Sequence, residues 1–435
     1  MFIEARADSV FNDDDGRTPS LFAFDTAPQG DVPATEAAAR VQWSEFGPRY
    51  GMTTWSADGE SWLVVPSFYP VRQDALVLPI PFPPGISDVS DVVHHTIDGD
   101  YVAQARTYAI RVGDVDGDSA PDLLVAVTPD ANAAPLVAVN PSPTVPGESG
   151  LLADARQVFD ISGWNRTELL WSSAGLSRAA IHDVDGDGAT DVLVGDFGYL
   201  PIGHDWSEYQ QTGCEPGGMI LWTGATGPGT YQIGSETAVI EGTCGSCLAG
   251  LHGSVGNVGP DPTRNYVAAV GETLTSHGVS ERGALFLMDL QEVTGTVDVV
   301  AVSPAVLLGE QPFSHVSDFA PLGDLNADGH GDIAVTSRSA NGRGTVWVFL
   351  GPLEGVRTTA SADLTITGSA EDATFGAAIA NQDLDGDGLV DLLVGDSLHA
   401  NVGAVHYLRG RDLLVAVDPD AVLPPLPTQT DTGAG

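Results

Sequence analysis

The chain has 435 residues, and 59 acidic against 17 basic side chains give a formal net charge of −42. All of the basic residues are arginines. Such a surface repels nucleic acid and anionic lipid and attracts cations, and no apolar run reaches the roughly 20 residues of a membrane span.

The N-terminus, "MFIEARADSV", has neither the basic nor the apolar region of a secretory signal. An acidic turn follows at Asn12, "NDDDGRTPSLFAF". "PATEAAARVQW", from Pro33, is the best amphipathic-helix candidate and is short. A second acidic turn, "SADGESWLVV", starts at Ser56. Four fuller copies then appear: "DVDGDSAPDLLVAV" at Asp114, "DVDGDGATDVLVGD" at Asp183, "DLNADGHGDIAVTS" at Asp324 and "DLDGDGLVDLLVGD" at Asp383. A degenerate copy at Asn257, "NVGPDPTRNYVAAVG", keeps only Asp261 as a carboxylate, so no ion is expected there. These starts recur about every 60 residues. That period is too long for a helical solenoid unit and suits about four strands with their turns.

The last copy shows the unit. "TFGAAIANQ" leads in, and "DLLVGD" is the continuous apolar run of a strand buried on both faces. "GAVHYLRG" alternates, and "DLLVAV" from Asp412 is expected as the fourth strand. "DIAVTS", "GRGTVWVFLG" and "DLTITGS" repeat the scheme. Four-stranded antiparallel units stacked in a ring predict an all-β, seven-bladed β-propeller over residues 1–418, or six blades if the weak early copies form none of their own. Residues 419–435 are rich in Pro, Thr, Asp and Gly and are expected to be a linker or tail of a longer natural chain.

The acidic loop carries the chemistry. In the copy at Asp183, positions 1, 3, 5 and 9 are Asp183, Asp185, Asp187 and Asp191. Alternate side chains of a tight loop converge, and their repulsion calls for a cation. Calcium takes roughly six to eight oxygens in loose geometry, whereas magnesium demands a stricter octahedron. The carbonyl of Ala189 at position 7 supplies a further oxygen, and Gly188 at position 6 permits the sharp turn. The same positions give Asp114, Asp116, Asp118, Ala120 and Asp122, with Ser119 in place of the glycine. They give Asp324, Asn326, Asp328, His330 and Asp332, and then Asp383, Asp385, Asp387, Leu389 and Asp391. Polar turns also favour Asp and Gly. Four copies at one internal spacing, each running into an apolar strand, favour calcium, about four ions in all.

This repeat resembles the FG-GAP repeat of the integrin α-chain N-terminal propeller and its secreted bacterial relatives. Phe375-Gly376 stands for the "FG", "LLVGD" for the "GAP" strand and "GAVHYL" for the strand after it. The resemblance spans most of residues 50–417. It implies a seven-bladed propeller whose calcium loops join the first and second strands of each blade on one face. Ligands would then bind the opposite face.

On that face the resemblance places the long insertion "FGYLPIGHDWSEYQQTGCEPGG", with Tyr199, His204, Trp206 and Tyr209. The loop "ISGWNRTELLWSSAG" adds Trp164, Arg166 and Trp171. Aromatic and arginine side chains are common interface anchors. Cys214, Cys244 and Cys247 are too few for a four-ligand zinc site, and a disulfide from Cys214 to one of the other two is expected. No nucleophile or metalloprotease motif appears, and no catalytic residue is assigned. The preferred reading is an extracellular adhesion module that binds a surface protein or a glycan. The alternatives are a propeller-type enzyme (a polysaccharide lyase or a phospholipase-associated domain) and a structural spacer. Calcium and a disulfide both favour an extracellular or cell-surface location, with the signal peptide removed.

Overall fold

The computed structural model describes residues 2–5, 20–23, 39–42, 53–57, 59–66, 75–98, 106–128, 136–141, 145–161, 178–196, 217–224, 227–242, 248–271, 283–310, 315–369, 374–396, 404–419 and 421. The chain divides into two compact units. The first comprises residues 1–244, 248–252 and 292–298, and the second comprises 245–247, 253–291 and 299–435.

The apolar runs after the acidic loops become strands covered on both sides. In Asp122–Thr128, Leu123 and Val125 pack with Trp62, Val64, Val77 and Ile97. Leu124 points the other way, into a cluster with Val192, Val194, Ile220 and Trp222. Period-two alternation therefore feeds two cores from one strand. In the second unit, Ala334, Val346, Val348, Leu392 and Val394 form a comparable core with Phe375.

The strands form seven sheets among the described residues. In the first unit the first sheet has Phe2–Ala5, Ser20–Ala23 and Ala39–Gln42, and the second has Thr53–Ala57, Glu60–Pro66, Ala75–Ile80 and His95–Asp98. The third has Arg106–Gly113, Asp122–Thr128, Leu136–Pro141 and Gln157–Asp160. The fourth has Arg178–His182, Asp191–Asp196, Gly218–Trp222 and Ala238–Glu241. The fifth has Leu248–Gly256, Tyr266–Gly271, Ala284–Met288 and Ala305–Leu308. The sixth has Asp318–Gly323, Asp332–Ser337, Thr345–Phe349 and Leu364–Thr367, and the seventh has Phe375–Gln382, Asp391–Asp396 and Ala404–Leu408. Within each sheet these strands pair antiparallel in chain order, as in propeller blades.

Five of the sheets gain one more strand, and it runs parallel. Gly85–Asp88 lies on Ala39–Gln42, Gly147–Gly150 on His95–Asp98 and Gly229–Gln232 on Gln157–Asp160. Gly295–Asp298 lies on Ala238–Glu241, and Gly355–Thr358 on Ala305–Leu308. Each segment comes from the third-to-fourth connection of the following repeat, so it staples one repeat to the previous one. Each opens on glycine, and in four of them the glycine N–H reaches the carbonyl just before the covered strand: Gly147 to His94 at 3.2 Å, Gly229 to Arg156 at 3.0 Å, Gly295 to Thr237 at 2.9 Å and Gly355 to Pro304 at 2.8 Å. The staple satisfies backbone groups that an edge strand would leave open.

Several expectations are corrected. The fold is all-β, but its sheets hold three to five strands and are not uniformly antiparallel, so the expected seven-bladed arrangement of equal four-stranded blades is not supported. "DLLVAV" is not a strand, because residues Gly410–Val417 form a helix. Leu413 and Leu414 are buried against the core of the sixth and seventh sheets, and Val417 packs on it one turn later. The "PATEAAARVQW" helix is also not observed: Ala39–Gln42 is a strand, and residues 33–38 lie outside the described set. At Ser56 the register pairs Ala57 with Glu60, a tight hairpin with no room for a nine-residue acidic loop. The Asn12 loop and residues 422–435 lie outside the described residues.

Candidate metal centres

Each intact acidic loop joins the first and second strands of its sheet and folds around its own carboxylates. Asp183 accepts the N–H of Gly186 at 2.8 Å and that of Gly188 at 3.1 Å. Asp185 accepts from Asp187, and Asp187 from Ala189. The loops at Asp114 and Asp383 repeat this pattern through Gly117, Ser119, Gly386 and Gly388. At Asp324 the N–H groups of Asp328 and Gly329 serve the same carboxylate. The sixth position is left-handed in every copy, with φ of 86° at Gly188, 92° at Gly329 and 87° at Gly388. Ser119 takes the same conformation at 66° without glycine's freedom.

The carboxylates at positions 1, 3 and 9 converge. In Asp114/Asp116/Asp122, Asp183/Asp185/Asp191 and Asp383/Asp385/Asp391, one oxygen of each residue lies within 4.8 Å of the others. In the remaining loop Asn326 replaces the middle carboxylate, and its amide donates to Asp328 at 2.9 Å. The position-5 residues Asp118, Asp187, Asp328 and Asp387 stand outside the triads. They accept the N–H groups of the position-7 residues Ala120, Ala189, His330 and Leu389 at 2.7–3.0 Å.

Position 9 differs in its surroundings. Asp122, Asp191, Asp332 and Asp391 are all buried at the start of the second strand. One oxygen of each accepts the N–H of the second loop residue: Val115, Val184, Leu325 or Leu384. In three loops the other oxygen accepts a glycine N–H beyond the third strand: Gly224 at 2.9 Å, Gly351 at 2.8 Å and Gly410 at 2.7 Å. Sequence reasoning missed these partners. Burial pushes the carboxyls of Asp122, Asp191 and Asp332 up to about 6, against the pull of those hydrogen bonds. Neighbouring aspartates add to the rise. Burial also raises Asp185 and Asp385.

A cluster of oxygens with unfavourable negative charge fits a hard divalent cation of calcium's type. The buried Oδ1 of Asp122 and Oδ2 of Asp387 have no hydrogen-bond partner, and each faces an arginine nitrogen instead, of Arg156 at 3.7 Å and of Arg411 at 3.8 Å.

The degenerate loop at Asn257 is built differently. Tyr266 starts its second strand, where the other copies carry the position-9 aspartate. Its hydroxyl accepts the N–H of Asp261 at 3.1 Å. The ring lies so close under Gly259 that a Cβ there would clash with the ring carbons of Tyr266. Arg264 clamps Asp289 with contacts of 3.0 and 2.8 Å. A phenol stands at the strand start where the other loops carry the position-9 carboxylate.

The expected ligand-face residues Trp164, Arg166, Trp171, Tyr199, His204, Trp206 and Tyr209 lie outside the described residues, as do Cys214, Cys244 and Cys247. No disulfide occurs among the described residues. Among them, no helix is long and apolar enough to cross a membrane.

Comparison with known proteins meets this geometry at one repeat. The FG-GAP repeat model matches residues 318–349, which hold the first three strands of the sixth sheet and the loop at Asp324. Human integrin alpha-IIb is 42% identical over 111 residues, 24% of this chain and 10% of that protein. The mouse protein is 40% identical over 100 residues, 21% of this chain and 9% of its own length. The chain thus spans about a tenth of these relatives. Among solved structures, the WD40 domain of Toxoplasma gondii coronin has a TM-score of 0.38 at 11% identity, covering 83% of this chain and 77% of that one. The Dos1 propeller also has 0.38, at 10% identity, covering 90% and 81%. Those scores are too low to bear on the fold. Residues 318–349 thus match an FG-GAP repeat, and about a quarter of the chain is similar to integrin alpha-IIb.

Proposed function

We propose that the chain is a calcium-stabilised recognition module that works outside the cell. Its intact acidic loops are the calcium sites, and they take at most four ions in all. The opposite face of the propeller binds a surface protein or a glycan through the loops that carry Trp164, Arg166, Trp171, Tyr199, His204, Trp206 and Tyr209. A disulfide from Cys214 to Cys244 or Cys247 would brace that face. The observation that carries the reading is the recurrence of one aspartate triad, each with its position-9 member buried, in three separate sheets. The likeness to integrin alpha-IIb supports a role in recognition.

In this reading calcium supplies positive charge that holds the loop carboxylates together. The chain's own part is to set the triads, turn the loops at their glycines and anchor position 9 to two backbone N–H groups. The test has two readouts. EDTA should lower the melting temperature and millimolar calcium should restore it. A glycan array and a panel of surface proteins, both probed in calcium and again in EDTA, should give a hit that vanishes with the metal. Melting that ignores both reagents would remove the calcium reading. Chemical breakdown of a bound glycan would replace recognition by catalysis.

A further inference from the structure

We infer that Arg156 closes the loop at Asp114 in place of a calcium ion, so the chain binds one ion fewer than its intact acidic loops. The inference rests on the calcium reading of the other loops. Nη1 of Arg156 lies 2.7 Å from Oδ2 of Asp116, 2.6 Å from Oδ2 of Asp118 and 3.7 Å from Oδ1 of Asp122. One nitrogen thus faces the carboxylates of positions 3, 5 and 9, two of them in hydrogen-bonding contact. A guanidinium keeps its charge at any physiological pH and is tethered to the chain. A calcium ion at this triad would have to displace it.

The backbone register makes the comparison with the other loops direct. The N–H of Arg156 donates to the carbonyl of Val139 on the third strand of its sheet. In the fourth and sixth sheets the same bond is made by Thr237 to Leu221 and by Asp363 to Val348. The position that carries a cation over the Asp114 loop therefore carries a neutral hydroxyl over the Asp183 loop and a carboxylate over the Asp324 loop. In the seventh sheet Arg411 approaches Asp387 alone, at 3.8 Å and without a hydrogen bond. The Asp114 loop departs a second time, in Ser119 at the left-handed sixth position. Elsewhere in the chain the degenerate Asn257 loop already relies on an arginine, Arg264, and its ion pair with Asp289.

The experiment counts calcium bound per full-length chain by equilibrium dialysis. Arg156→Gln should bind one ion more than the wild type. Asp116→Asn in the wild-type background should leave the count unchanged, yet cancel the gain when combined with Arg156→Gln. Asp185→Asn, in the loop without an arginine, should lose one ion. Loss of an ion in Asp116→Asn alone, or no gain in a folded Arg156→Gln, would overturn the inference while the calcium reading stands. Asp116→Asn decides the matter even if Arg156→Gln fails to fold. A wild type that binds no calcium at all removes both.

Discussion

At the position-9 aspartates one side chain has two duties. Asp332 receives Leu325 N–H from its own loop and Gly351 N–H from the far end of the third strand, at 2.7 and 2.8 Å. It is also the position-9 ligand of the calcium site proposed for this loop. Asp328, four residues earlier, is exposed and serves only the loop and the proposed ion. The two duties separate in EDTA. There Asp332→Ala should still cost on the order of 2–4 kcal/mol, because two buried donors lose their acceptor. Asp328→Ala should cost less than about 1 kcal/mol in EDTA. Both should weaken calcium binding. Urea unfolding in EDTA reads the first effect and calcium titration the second; equal costs in EDTA would refute the division. The converging carboxylates were legible because their spacing is local. The glycine partners were not, since they lie 19 to 33 residues away and a backbone N–H leaves no signature in the sequence.

At the scale of elements, strands were legible wherever an apolar run followed an acidic loop, and illegible where pairing depends on another repeat. The parallel staples are short and start from an ordinary-looking glycine. The terminal helix was misread because "DLLVAV" has a strand's composition, while its Leu413, Leu414 and Val417 find a core at helical spacing. Two glycines test how far conformation and contact separate. Gly376, of the "FG" pair, has φ of 90°, and a Cβ there would meet Thr336 Cβ at 3.1 Å and Thr345 O at 3.3 Å. Its carbonyl also accepts the Thr336 hydroxyl at 2.9 Å. Gly355, which opens a staple, has φ of 69° and nothing within 4 Å of a Cβ. Gly355→Ala should cost about 1 kcal/mol, the strain of a left-handed alanine. Gly376→Ala should cost more, about 2–3 kcal/mol, as crowding adds to strain. Denaturant midpoints check the order, and a costlier Gly355→Ala would contradict it.

At the scale of the whole molecule, the charge of −42 and the buried aspartates act in the same direction when metal is absent. Asp122, Asp191 and Asp332 have carboxyls raised to about 6 in the folded chain, from an ordinary value of 3.8. A raised carboxyl means that the folded state holds its proton more tightly than the unfolded state does. The resulting stabilisation is full below about pH 3.8 and is lost as pH climbs through about 6. The lowered carboxyls of Asp88, Asp118 and Asp261 work oppositely, but at lower pH and at exposed, solvent-screened positions. The metal-free protein should therefore melt at progressively lower temperature between about pH 4.5 and 7. Calcium should reverse the trend, because it needs the same carboxylates deprotonated. Global self-repulsion would also give a falling curve, and Asp332→Asn separates the two causes. Removing one of the charges in 59 acidic residues barely changes the net repulsion, yet it deletes one of the three buried titrations. The variant's curve in EDTA should be visibly flatter between pH 5 and 7 than the wild type's. An unchanged slope would assign the effect to net charge, and a metal-free melting temperature that rises over this range would show that the loop carboxylates are ionised without an ion.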